Sequence, residues 1–209
     1  MTTLNEQKEA NMQHKPAKTS VKIHDLIQTR WSPRAIDPDK DVSHEDLTAL
    51  LEAARWAPSC FNDQPWRFIV WVKSQDETNW QQALSCLAEK NQLWAKNAPV
   101  LMLSVAMENF NHNGKPNRWA MYDTGAASVS LCFQATALGL VVHQMGGFDA
   151  EKTRELFKLP ADCTPMSMIA IGYQADIDVL DDDFKAAELA ERTRASLGQR
   201  FYFGEWGLS

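Results

Sequence analysis

Residues 57–72 have the sequence APSCFNDQPWRFIVWV, and this stretch decides the fold more than any other part of the chain. It begins as a polar loop with two prolines and continues as a run of β-branched and aromatic residues, which predicts a β-strand over residues 67–72. Because proline fixes φ, the loop holds its Ser, Cys, Asn and Gln side chains rigidly at the entrance to a buried sheet. Taken alone, the same loop is equally typical of an ordinary helix-to-strand connection.

The bulk composition limits the class of protein. The chain has 209 residues, of which 44% are hydrophobic, and this is enough for one well-buried core. A formal net charge of −6 gives no general attraction to nucleic acid or to an anionic membrane. The four cysteines lie far apart without a CxxC pair, which argues against a zinc site and a disulfide framework and predicts a cytoplasmic protein.

The two ends of the chain differ from its middle. Residues 1–20 are polar and contain no apolar h-region, so we expect a disordered tail and not a signal peptide. Residues 21–209 are expected to form a single domain that ends in an aromatic C-terminal arm. The longest apolar stretch, residues 131–145, is too short and too polar to span a bilayer.

Hydrophobic periodicity predicts an α+β fold with helices around a central sheet. Helical spacing of apolar residues, with Ser43 and Asp149 as N-caps, predicts helices in residues 20–30, 43–57, 76–90, 120–138 and 149–159. Short apolar runs predict strands over residues 67–72, 99–106, 140–145 and 167–173. A long loop is expected at residues 108–116, which are rich in asparagine.

Two arginine clusters can bind an anion. Arg30, Ser32 and Arg34 form one compact group, and Arg192 and Arg194 form another near the C-terminus. Arginine makes bidentate contacts with phosphate, although either cluster alone is more typical of solvated surface charge.

Two further features can contact a planar ring. Gly146 and Gly147 follow a predicted strand with no Cβ in front of their N–H groups, an arrangement that is also typical of a tight turn. Asn62 and Gln64 can hydrogen-bond the amide-like edge of a ring. Together with the arginines, these groups indicate an anionic, planar, heteroaromatic ligand.

Taken in order, these motifs resemble the nitroreductase family of flavin mononucleotide (FMN) enzymes from about residue 22 to residue 207. The matching pieces are Arg30-x-Ser32-x-Arg34, Ala57-Pro58-Ser59, Asn62-x-Gln64-Pro65-Trp66, Asp123 with Gly125, Gly139-Leu140, residues 145–149, Ile171-Gly172-Tyr173 and residues 204–207. The resemblance implies a nitroreductase-like α+β fold, with a central, mainly antiparallel sheet flanked by helices. It also implies an intertwined homodimer with active sites at the interface.

The resemblance assigns a role to each motif. It implies that FMN is bound by Arg30, Trp31, Ser32, Arg34, Gln64, Met145, Gly146, Gly147, Arg192 and Arg194, and from the other subunit by Pro58, Ser59, Cys60 and Asn62. The backbone N–H of Gly147 would face flavin N5, so no side chain is expected to be catalytic. Arg34 would face the N1 side, where a cation stabilises the reduced ring. The substrate would contact Phe61, Phe110, Arg118 and Trp119.

The chain departs from the family pattern at three places. Trp31 stands where another basic residue is usual, and Cys60 stands where serine is usual. Ala195-Ser196 replaces a common Lys-Pro pair, which leaves the local path of the C-terminal arm open.

The expected activity is the FMN-dependent reduction of a small acceptor, such as a nitroaromatic or a quinone, by NADH or NADPH in a ping-pong reaction. No GxGxxG follows a predicted strand, so the nicotinamide is expected to share the flavin site. The alternatives are a flavin-dependent dehalogenase or a flavin-fragmenting enzyme of the same fold, or a non-catalytic FMN-binding protein. A dehalogenase typically adds an ordered lid, for which residues 108–119 are the candidate segment.

Overall fold

Four strands form one antiparallel sheet in the computed structural model, which describes residues 13–207. They are β1 (Trp66–Val72), β2 (Val100–Met107), β3 (Leu140–Met145) and β4 (Cys163–Tyr173). Their order is β1-β2-β4-β3, so that β2 and β4 are central and β1 and β3 are the two edges. The α+β class and the antiparallel sheet are as the sequence predicts.

Seven α-helices surround this sheet within the described residues. They are α1 (Asp25–Thr29), α2 (His44–Arg55), α3 (Glu77–Cys86), α4 (Glu89–Ala95), α5 (Ala120–Ala137), α6 (Ala150–Phe157) and α7 (Asp182–Leu189). The predicted N-caps are confirmed, since Ser43 accepts a hydrogen bond from Asp46 N at 3.0 Å and Asp149 accepts one from Lys152 N at 2.9 Å. None of these helices is both long and apolar enough to cross a bilayer.

Each face of the sheet has its own hydrophobic core. Successive residues of a strand point to opposite faces, so Leu101 and Leu103 of β2 belong to one core, and Val100 and Met102 belong to the other. Helices α2 and α5 cover the second core, whereas α3 and α4 cover the first. All of β2 except Met107 is buried, as expected of a central strand.

The single helix predicted over residues 76–90 is instead two helices, and this difference shapes the site. The break lies at Leu87 and Ala88, because Leu87 pairs with Phe148 in an isolated bridge and the Ala88 N–H donates to Gly147 O at 2.9 Å. These partners lie far along the chain, and no local pattern indicates them. The interruption brings α4 against the two glycines that follow β3.

The two ends of the described chain behave differently. Residues 13–20 lie along the body, where Ala17 N donates to Gln28 O at 2.8 Å and the Gln174 side chain donates to Gln13 O at 2.9 Å. The disordered tail predicted for residues 1–20 stays a prediction, and residues 1–12 lie outside the described residues. The C-terminal arm is the opposite case, since Phe203 and Trp206 are exposed.

Candidate functional site

The loop that follows α1 carries the first arginine cluster. Arg30 Nη1 donates to Ser32 Oγ at 3.2 Å, and both side chains are half-buried. The loop runs along the edge strand β3, where a ring nitrogen of His143 lies 3.0 Å from Pro33 O. The prolines at positions 33 and 38 keep this stretch extended.

Arg192 joins this loop from the far end of the sequence. Its Nη1 donates to Lys15 O at 2.6 Å and to Gln28 O at 3.0 Å. Burial lowers the pKa of Arg192, and the positive charges of Arg30 and Arg194 lower it further. The structure thus brings the two predicted arginine clusters together, as one group that we call the cation cluster (Lys15, Arg30, Arg34, Arg192 and Arg194).

One carboxylate lies against the cation cluster, but in the described chain it binds backbone N–H groups and forms no ion pair with a guanidinium group. Glu188 of α7 is fully buried, and its Oε1 accepts from Arg34 N at 3.0 Å and from Ala35 N at 3.2 Å. Within residues 13–207, Arg30, Arg34 and Arg192 form no ion pair with a carboxylate. Half-buried cations without a carboxylate partner are suited to an anion from outside the chain.

His143 is a site residue that the sequence reasoning missed. Its ring lies 4.6 Å from the Trp94 ring, and burial lowers its pKa to about 4, with smaller contributions from Arg34 and Arg30 that also lower it. The imidazole is therefore neutral at pH 7, and because Pro33 O can only accept, Nδ1 carries the hydrogen. The signal was present in the sequence as a histidine within an apolar strand.

The glycine pair lies where β3 ends, beside Met145. Gly147 O accepts from Ala88 N at 2.9 Å and from Asn91 Nδ2 at 3.0 Å, while the Gly147 N–H makes no hydrogen bond to any residue in the described part of the chain. A Cβ on Gly147 would lie 3.0 Å from Asn91 Nδ2, which is a tight contact. The pair is exposed, so its N–H groups are free to meet a ligand. Asn91, like His143, was not among the predicted site residues.

The Pro58–Gln64 loop lies elsewhere, at the start of β1. Cys60 N donates to Asp123 Oδ2 at 3.0 Å, and Gln64 N donates to Ser59 Oγ at 3.0 Å. Phe61, Asn62 and Gln64 have φ values of 55°, 55° and 52°, which are left-handed conformations that side chains disfavour. Each costs of the order of 1–3 kcal/mol, and such strain is concentrated at functional sites.

Phe61 is the most prominent side chain of this loop, since it is 81% exposed. Its ring lies 5.9 Å from the Phe110 ring and 5.7 Å from the His112 ring. We call these three residues the aromatic face. Buried Asp63 anchors it, because its Oδ1 accepts from Asn111 N at 2.8 Å.

The predicted substrate residues separate into two places. Phe61 and Phe110 share the aromatic face, and Phe61, Asn62 and Gln64 line a hollow of about 600 Å³. Arg118 and Trp119 instead stack on each other, with 4.6 Å between the guanidinium carbon and the ring centre. Trp119 lines a smaller hollow of about 370 Å³ together with Pro58, Ser59 and Cys60.

The two halves of the predicted site lie at opposite edges of the sheet. The cation cluster and the glycine pair adjoin β3, whereas the Pro58–Gln64 loop enters β1. Three strand spacings separate these edges, which amounts to about 14 Å. One chain therefore does not bring all of the predicted residues together.

A cavity of about 870 Å³ adjoins the cation cluster. Lys15, Arg30 and Trp31 line it, as do Tyr173 and residues 37–40. This volume lies in the range of small-molecule sites. The cavity does not extend to Gly146 and Gly147, which face open solvent.

Comparison with known proteins agrees with this architecture. A sequence profile of the nitroreductase family matches residues 27–173. Protein DrgA of Synechocystis is 34% identical over 177 residues, which cover 73% of this chain and 84% of DrgA. The major NAD(P)H-flavin oxidoreductase of Aliivibrio fischeri is 54% identical over 48 residues, or 23% of this chain and 22% of that protein.

A solved structure extends the likeness to the whole chain. The crystal structure of an oxidoreductase containing FMN is 32% identical, has a TM-score of 0.86 and covers 100% of both chains. The predicted fold is thereby confirmed. Since the profile spans well over half of the sequence, the chain belongs to the nitroreductase family.

Proposed function

We propose that this protein is an FMN-dependent oxidoreductase that uses NADH or NADPH to reduce small aromatic acceptors such as nitroaromatics and quinones. One observation carries the proposal. Half-buried Arg30, Arg34 and Arg192 have no carboxylate partner within the described residues, and they lie along the strand that ends at the free N–H of Gly147. The arginines can bind an anionic group, and the N–H of Gly147 can bind the polar edge of a ring that belongs to the same ligand.

The residues present fit FMN at both of its ends. Arg30, Ser32, Arg192 and Arg194 would hold the phosphate, since guanidinium groups match phosphate oxygens in charge and in geometry. The ring would lie towards the N–H groups of Gly146 and Gly147, which carry no side chain of their own. When bound, FMN supplies hydride transfer, taking a hydride from the nicotinamide and giving it to the acceptor.

The chain itself contributes positioning and electrostatics. Arg34, whose backbone is fixed by Glu188, would hold a permanent positive charge on the ring side of the site and so favour negative charge there. Neutral His143 donates to Pro33 O and thereby fixes the loop that carries Arg34. No acid or base side chain is assigned to the reaction.

The separation of the two half-sites supports a homodimer. A second copy can present its Pro58–Gln64 loop to the cation cluster of the first, which one chain cannot do across its own sheet. The exposed Phe61, and Phe203 and Trp206 of the C-terminal arm, are apolar surfaces that such a partner would cover. In this arrangement the partner's aromatic face stacks against the acceptor.

The proposal includes a cytoplasmic location. Cys86, Cys132 and Cys163 are buried and, like Cys60, free in the described part of the chain. Reduced thiols are usual in the cytoplasm. The same thiols make a reducing agent advisable during purification.

The test begins with the purified full-length chain. We expect it to retain a yellow flavin, to be bleached anaerobically by NADH or NADPH, and to regain its colour when menadione or nitrofurazone is added. A chain that neither retains FMN nor gains thermal stability from it contradicts the proposal. A bound flavin that neither nicotinamide reduces would instead indicate a non-catalytic flavin-binding protein.

A further inference from the structure

The N-terminal segment places a lysine in the cation cluster. Lys15 is half-buried, and its Nζ lies 4.7 Å from the centre of the Trp31 ring. Lys15, Arg30 and Trp31 line the same cavity of about 870 Å³. The polar sequence around Lys15 does not predict a half-buried lysine.

Several contacts fix the position of this lysine. Lys15 Nζ donates to Glu188 O at 2.8 Å, and Lys15 O accepts from Arg192 Nη1 at 2.6 Å. On the same segment, the pair between Lys18 and Glu191 is solvent-exposed and contributes little to the position of Lys15. The segment is therefore tied to the stretch after α7 that delivers Arg192 to the cluster.

Two arginines and one carboxylate act on the charge of Lys15. Burial lowers the pKa of Lys15, Arg192 and Arg34 lower it further, and only Glu188 acts in the opposite direction. The Glu188 carboxylate is already engaged by the backbone N–H groups of Arg34 and Ala35. Asp37, Asp39 and Asp176 also line the cavity, and Asp37 Oδ1 accepts from Asp39 N. Like charges gathered in this way are stable when a multiply charged anion joins them.

We propose that Lys15 is a further FMN-binding residue, which joins Arg30 and Arg192 at the phosphate. The Trp31 indole orients the ammonium group through a cation–π contact, so the uncharged residue at position 31 supports a cation supplied from another segment. The flexible lysine stem lets Nζ turn from Glu188 O to a phosphate oxygen. This inference rests on the proposed function, since it assumes that FMN binds.

Riboflavin makes the test specific, because it carries the same ring as FMN without the phosphate. Equilibrium dialysis of the full-length chain measures Kd for each compound. We expect Lys15→Gln to raise the Kd for FMN about ten-fold and to leave that for riboflavin unchanged. Lys15→Arg should restore most of the FMN affinity.

Lys18→Gln is the matched control, because it removes a positive charge from the same segment outside the cavity. It should leave both Kd values unchanged. The inference is overturned if Lys15→Gln binds FMN as tightly as the wild type, or if it loses FMN and riboflavin equally, which would indicate a purely structural role. If the wild type binds neither compound, the proposed function itself fails and the inference fails with it.

Discussion

The two edges of the sheet use different means to prepare a site. At β3, residues from both ends of the sequence assemble a cation cluster whose charges have no carboxylate partner in the described chain. At β1, a single strained loop and the segment after β2 expose the aromatic face. The first edge is built by long-range electrostatics and the second by local backbone geometry. Removal of an arginine should therefore affect mainly the first edge, and removal of the Phe61 ring mainly the second.

Acidification should give the largest effect, and it acts on the β3 edge. Because the folded-state pKa of His143 is about 4, below the ordinary 6.5, the unfolded chain binds more protons between these values. The contribution of neutral His143 to the free energy of unfolding is therefore fully present above pH 6.5 and is lost as the pH falls towards 4. The difference between the two pKa values of His143 corresponds to about 3 kcal/mol in the free energy of unfolding.

Urea unfolding at a series of pH values measures this effect. His143→Asn, which can still donate to Pro33 O, should flatten the dependence between pH 4 and 6.5. His44→Asn, on the exposed start of α2, should keep the wild-type slope. An unchanged slope in His143→Asn would show that another group binds the proton.

Loss of an arginine should give the next largest effect. Arg30→Gln removes a charge-assisted contact to the phosphate, so we expect the Kd for FMN to rise about 100-fold, with a much smaller rise for riboflavin. Arg118→Gln removes a guanidinium group that stacks on Trp119 away from the cation cluster, and it should leave both Kd values unchanged. Equal losses in the two variants would remove the distinction between the two edges.

Much of the fold follows from local sequence signals. Strand β3 has its predicted bounds because Gly139 and Gly146 mark its two ends. Strand β4 begins at Cys163, four residues before the predicted start at residue 167. The additional part contains Pro165, and proline is unusual within a central strand. A register shift in the pairing, between Ser104 and Val105 of β2, accommodates this proline.

The candidate site was harder to predict because its partners are remote in sequence. Lys15 and Glu188 are 173 positions apart, and the polar composition around Lys15 is typical of disorder. The approach of α4 to Gly147 likewise depends on pairing between distant segments. The positive φ of Phe61, in contrast, has no local signature, because phenylalanine rarely takes a left-handed conformation.

A change in the aromatic face should alter turnover of the acceptor and not the affinity for FMN, which is the opposite of a change in the cation cluster. Phe61→Ala removes an exposed ring without touching a charge, so we expect kcat/KM for menadione to fall about ten-fold while the Kd for FMN stays the same. Phe61→Tyr keeps the ring and should retain most of the activity. Steady-state kinetics at saturating NADH measure both variants. A weakened affinity for FMN in Phe61→Ala would mean that the ring supports the cofactor and not the acceptor.

Mixing the two kinds of variant tests whether the edges belong to one site or to two. If each site takes Arg30 from one copy and Phe61 from the other, a mixed dimer of Arg30→Gln and Phe61→Ala chains has one site with both changes and one with neither. Random reassortment makes half of the dimers mixed, so about a quarter of the wild-type turnover should return when FMN is kept below the Kd of Arg30→Gln. Turnover equal to the mean of the two separate variants would show that each chain works alone. The cation cluster and the aromatic face of one chain would then have to meet across its own sheet, which their positions beside β3 and β1 oppose.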